Sequence, residues 1–205
     1  GQTSFIYEAG SAFSMDRETT LMTGDFEHHP DKNVVEQMSE RGVPELLFEK
    51  YDGTLEFHEP WHEGREMSHL FRGKVDVEEV NVMLSEEGHG DLRLLDNGAI
   101  GRPMPGIEIT HCYHLVPKGV SKSRAVAAHA AARGYAKEET IAVGDSAEDL
   151  EVARSVGTFF VVANGPERDA GLKATLSQHA NAVVTEGRAG DGFYEAIVTS
   201  LVSGQ

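Results

Sequence analysis

Residues 140–150, TIAVGDSAEDL, set an apolar, β-branched run directly before a glycine and two spaced aspartates, Asp145 and Asp149. A buried parallel strand ending at Gly144-Asp145 would be followed by a helix with Ser146 as N-cap and acids in its first turn. In open α/β sheets ligands sit beyond the carboxyl ends of the strands, where this pattern puts Asp145. Asp149, four residues on, returns to the same face one helical turn later. Two carboxylates converging there suit a hard cation such as Mg²⁺, which takes one or two carboxylates and fills its shell with water and substrate phosphate. The plainer role for the same acids is to complement the helix dipole.

Two further junctions of this kind add to the first. Pro117–Ser123, PKGVSKS, joins a strand to a helix, and a lysine at such a junction can neutralise a phosphate. Lys122 lies at the helix start and Lys118 in the loop before it; a solvated surface charge is the commoner fate of lysine. Ala163-Asn164-Gly165-Pro166 reads as a turn whose Asn164 could reach the same mouth. A lysine, an acid pair and an asparagine at three successive strand ends are harder to dismiss together than singly.

The elements that must position these residues are legible from periodicity. From about Ile107 onward, strands at 107–116, 140–144, 158–163 and 182–185 alternate with helices at 122–134, 147–156, near 168–179 and 193–201. That alternation predicts βαβ units and a Rossmann-like, doubly wound parallel sheet, α/β in class. Residues from about 15 to 110 are less regular: a helix around 32–41 with helical residues through Leu47, strands at 54–58, 69–74 and 92–95, and a helix at 77–85. They predict a small α+β domain inserted into the α/β one or placed before it. A strand at 4–8 opens the chain, and the Gly/Pro-rich run GAIGRPMPG suits a crossing between domains near 104–106.

Composition narrows the partners. In 205 residues, 18 Lys and Arg face 34 Asp and Glu, a net charge of −16, which argues against nucleic acid or an anionic membrane as a bulk partner. No run approaches the roughly 20 apolar residues of a membrane span, and no signal-peptide pattern opens the sequence, so a cytoplasmic setting is expected. Cys112 is the single cysteine, read as a small buried hydrophobe in a reducing compartment.

The run HLVPKGVSKSRAVAAHAAARGYAKEETIAVGDSAEDLEVARSVGTFFVVANGP resembles the C-terminal half of haloacid dehalogenase (HAD) superfamily phosphatases with a large α/β cap, the group containing sugar-phosphate, sucrose-phosphate and mannosylphosphoglycerate phosphatases. The resemblance implies that Lys122 is the catalytic, phosphate-holding lysine of the third motif and Asp145 the Mg²⁺ ligand of the fourth. It makes Asp149 that motif's second acid, assisting with the metal, and Asn164 a substrate-binding residue at the rim. Residues 5–12, FIYEAGSA, resemble the strand and turn that precede the cap. The implied organisation is a core of 1–14 and 113–205, incomplete at its N-terminal side, with residues 15–112 inserted as a substrate-selecting cap.

Two departures bear on activity. Glu148 replaces the asparagine of the usual GDSxND, which bears on the metal's surroundings. The first motif, DxDGT, whose leading aspartate accepts the phosphoryl group, is expected before Phe5 and is not found; the second motif is likewise missing. Asp52-Gly53-Thr54 follows Lys50-Tyr51 and reads as a turn. The expectation is therefore a Mg²⁺-dependent phosphatase of a small phosphorylated metabolite, a sugar or polyol phosphate, working through an aspartyl-phosphate formed outside these 205 residues. Alone, this chain is expected to hydrolyse nothing; its opening without methionine fits a longer natural chain. The rival reading is a non-catalytic HAD-like binding or regulatory protein. His58-Glu59-Pro60-Trp61-His62 also spells HExxH, but Pro60 would sit two residues into the helix that must align both histidines, so a zinc peptidase is a remote third. His28-His29 and Glu86-Glu87 read as solvated surface.

Overall fold

In a computed structural model, residues 4–24, 26–27 and 29–204 are described, so His28 lies outside the described residues. The chain divides into two compact units, 1–120 and 121–205.

The first unit begins with an antiparallel meander of β1 (Ser4–Tyr7), β2 (Ala12–Met15) and β3 (Glu18–Leu21). Helices α1 (Val34–Glu40) and α2 (Val43–Lys50) follow, then β4 (Leu55–Phe57), β5 (His69–Gly73), α3 (Val77–Glu86), β6 (Leu92–Ala99) and β7 (His111–Pro117). Asn33 and Glu36 form a capping box that starts α1, and Gly42, at φ 71°, separates α1 from α2 where the sequence suggested continuing helix. The four later strands form one antiparallel sheet in the order β4-β5-β7-β6. Alternation along β7 sends Tyr113 and Leu115 into a core shared with Val34, Met38, Leu47, Phe71, Val80 and Leu84. Asp52-Gly53-Thr54 is a turn between α2 and β4, with Gly53 at φ 70°.

This pairing differs from the sequence expectation. The strand anticipated at 107–116 starts only at His111, because residues 100–110, with Pro103, Pro105 and Gly106, form the loop joining β6 to β7. It lies between β5 and β6, both antiparallel to it, so it belongs to the first unit's sheet rather than opening the parallel one. The division between units falls after Val120, eight residues beyond the expected 112, and β1 and β2 pair with each other within the first unit.

The second unit is the α/β half: α4 (Lys122–Arg133), β8 (Ile141–Gly144), α5 (Ala147–Leu150), β9 (Thr158–Val161), α6 (Asn164–Arg168), α7 (Ala170–Thr175), β10 (Ala182–Val184) and α8 (Ala189–Ser203). Its strands are parallel in the order β10-β9-β8, and among the described residues β8 is an edge. Ser121 caps α4, and Gly134, in the left-handed region at φ 75°, closes it as the sequence indicated. The helix anticipated at 147–156 is α-helical only through Leu150 and continues as a 3₁₀ turn from Glu151 to Ser155. Asn164-Gly165-Pro166, read as a turn, instead opens α6; Pro166 sits in its first turn, where no intrahelical N–H is needed. Leu150, Phe159, Val161 and Leu172 form the core here. Among the described residues no helix is long and apolar enough to cross a membrane.

Candidate active site

The carboxyl end of β8 gathers the residues singled out in the sequence. Ser146 leaves the strand in extended conformation and its hydroxyl accepts the backbone N–H of Asp149 at 3.1 Å, starting α5. Asp149 is thereby folded back over the strand end. A Cβ on Gly144 would lie 2.5 Å from the Cβ of Asp149, so only glycine admits this approach. Gly165 serves the next strand end similarly: a Cβ there would come 2.7 Å from the carbonyl oxygen of Asp145.

Lys122, first residue of α4, reaches this corner from the other side. Its Nζ lies 2.9 Å from Oδ1 of Asp149 and 3.0 Å from Oε2 of Glu148. Burial works against the ammonium, but the charges of Glu148 and Asp149 outweigh it and lift Lys122 above the usual lysine value. Burial would likewise raise Asp149; the Lys122 charge, its hydrogen bond and the Ser146 hydroxyl outweigh that and hold the carboxyl below the usual range. Lys122 is thus a fixed cation and Asp149 a fixed anion. Lys118, the other lysine of PKGVSKS, is exposed.

Asp145 belongs to a second pairing. Its Oδ2 accepts Nδ2 of Asn164 at 3.3 Å and a guanidinium nitrogen of Arg168 at 2.6 Å. Asn164 also accepts the backbone N–H of Ala189 through Oδ1 at 2.7 Å, tying the approach to α8 to the same corner. Ala189 sits at φ 46°, a conformation an alanine adopts at a cost of about 1–2 kcal/mol. Sequence reasoning found Lys122, Asp145, Asp149 and Asn164 but missed Arg168, which lay in a stretch without a motif. It noticed Glu148 as a departure without seeing that it faces Lys122.

The donor set suits a hard cation only in part. Asp145 is a half-exposed carboxylate at a strand end, as Mg²⁺ requires when water and phosphate supply the rest of its shell. Asp149 suits a direct bond less, since Lys122 already holds Oδ1. Among the described residues no three His, Cys, Asp or Glu side chains gather as a complete metal cage. The HExxH residues part company in the first unit. Residues 59–64 are turns rather than a helix; the buried His58 ring meets Sγ of Cys112 at 3.5 Å, and His62 stacks on Phe57. That removes the one-faced histidine pair a zinc peptidase needs.

A three-stranded parallel sheet flanked by helices, with polar side chains at its carboxyl end, defines an α/β unit. Residues 108–197 match the family described as haloacid dehalogenase-like hydrolase. The phosphoglycolate phosphatase of Halobacterium salinarum is 29% identical, the alignment covering 65% of this chain and 66% of that one. That of Methanoculleus marisnigri is 34% identical over 62% of this chain and 45% of its own. The chain thus spans about half to two thirds of these curated relatives. The sucrose-phosphatase of Synechocystis superposes with a TM-score of 0.60 at 15% identity, covering 93% of this chain and 71% of that one. A Thermoplasma acidophilum protein gives 0.59 at 15% identity, covering 93% and 68%. At such identities these two likenesses establish the fold alone.

Proposed function

We propose that this chain supplies the phosphate-holding and cation-holding part of a Mg²⁺-dependent phosphomonoesterase acting on a small phosphorylated metabolite. The observation that carries the reading is the charged corner at the end of β8, where Lys122 is clamped between two carboxylates beside the half-exposed Asp145. Lys122 stays protonated and offers its ammonium to phosphate oxygens, stabilising charge without giving up a proton. Asn164 orients Asp145, and Asp149 with Glu148 fixes the lysine. Mg²⁺ held by Asp145 would polarise a phosphate oxygen and offset charge during transfer. The first unit is proposed as the cap that selects the substrate.

The curated relatives' names favour a small phosphorylated acid over the sugar or polyol phosphate expected from sequence. The accepting carboxylate of in-line transfer is proposed to come from a strand beside β8, whose outer edge is unpaired among the described residues. Phosphate release from phosphoglycolate tests this directly. The 205-residue chain alone should release none, and a polypeptide that also carries a DxDGT strand should do so with Mg²⁺. That turnover should fall by about a thousandfold on Lys122→Ala, the scale of losing a charge-stabilising group. Turnover by the 205 residues alone, abolished by Asp145→Asn, would show that the nucleophile lies within them.

A further inference from the structure

We infer that Arg168 is an internal counter-ion that occupies Asp145 in place of a divalent cation and must be displaced when one binds, thereby setting the site's cation affinity. The inference rests on the reading of Asp145 as a cation ligand. Arg168 ends α6, the helix that Asn164 begins, so the same short element delivers both contacts to Asp145. The guanidinium lies 2.6 Å from Oδ2, the oxygen that Asn164 also approaches; Oδ1 takes part in neither contact. A second positive charge drawn to this carboxylate meets the guanidinium at its binding distance, and like charges that close repel. Movement of the guanidinium relieves the competition.

The geometry permits that movement. The Arg168 side chain is 68% exposed and that of Asp145 43%, so the pair can open into water. Ion pairs this exposed are weak and correspond to no more than about fivefold in an equilibrium constant. The contrast with Lys122 is instructive, because that cation is 29% exposed and held by two carboxylates at once. Arg188, a residue before α8, is engaged by Glu167, and among the described residues the cation on Asp145 is Arg168.

Mn²⁺ titrated into the 205-residue chain, with free Mn²⁺ read by its paramagnetic resonance signal, tests the idea without turnover. Arg168→Gln should bind Mn²⁺ about two- to fivefold more tightly than the native chain. Arg168→Lys, which keeps the charge, should restore near-native affinity, and circular dichroism should show both variants folded. Unchanged or weaker binding by Arg168→Gln overturns the inference. Asp145→Asn separates the two claims: loss of Mn²⁺ binding there upholds the ligand role whatever Arg168 does, and binding that survives overturns both. Absence of binding by native and Arg168→Gln chains alike also overturns both.

Discussion

The two units differ in how completely each covers its own sheet. In the first, α1, α2 and α3 and the four-stranded sheet share a core in which Val34, Met38, Leu47, Phe71 and Leu115 have no exposed surface. In the second, all four residues of β8 are only half-buried, and α8 leaves Tyr194, Leu201 and Val202 at 70%, 74% and 83% exposed. Apolar burial is the main favourable term in folding, so the first unit has more of it to draw on. The charged corner therefore sits in the unit with the thinner core, on a strand whose outer edge is unpaired among the described residues.

This contrast can be broken by measurement. Phe71→Ala should cost about 3–5 kcal/mol in urea denaturation, the range for emptying a filled core, and a cost under 1 kcal/mol would deny the first unit its tight packing. Gly144→Ala should cost about 1–3 kcal/mol and displace Asp149 from Lys122, since the new methyl meets the Asp149 side chain. Ser146→Ala should cost about 1 kcal/mol through loss of the α5 cap. Hydrogen exchange should run faster at β8 amides than at β7 amides; equal protection would erase the distinction.

The smallest effect concerns acid. Because the Asp149 carboxyl lies below its unfolded value, its contribution is present above the ordinary carboxylate range and lost as pH falls through its folded value. Denaturation midpoints of the native chain should therefore fall on acidification below about pH 4, and Asp149→Asn should flatten that part of the curve. The raised Lys122 acts at the opposite end: its contribution persists below the ordinary lysine value and fades only as pH rises through its higher folded one.

Much of this arrangement was legible beforehand because it depends on local chemistry. A β-branched run ending in Gly-Asp, a serine cap and an acid one turn later determine one another within eleven residues, so Asp145 and Asp149 could be placed from spacing, and Lys122 from its own strand-to-helix junction at 117–123. What depended on distant pairing was not. The apolar pattern of His111–Pro117 suits a strand in either sheet, and only its partners β5 and β6 decide which. Arg168 carried no local signal, since an arginine near a proline and a glutamate looks like ordinary surface until the carboxylate opposite it is known. Asn164 was read as part of a turn although it opens α6, because Gly-Pro after asparagine marks turns and helix starts equally well.

Asn164 has a chemical lifetime as well as a geometry. Its side chain works only as an amide, donating to Asp145 on one side and accepting from Ala189 on the other. The backbone nitrogen of a following glycine is the group that attacks such an amide, and here it is engaged: the Gly165 N–H is held by the carbonyl of Val162 at 2.8 Å, inside α6. The same short helix that aims the amide therefore shields it from hydrolysis to aspartate, which would set a second negative charge against Asp145.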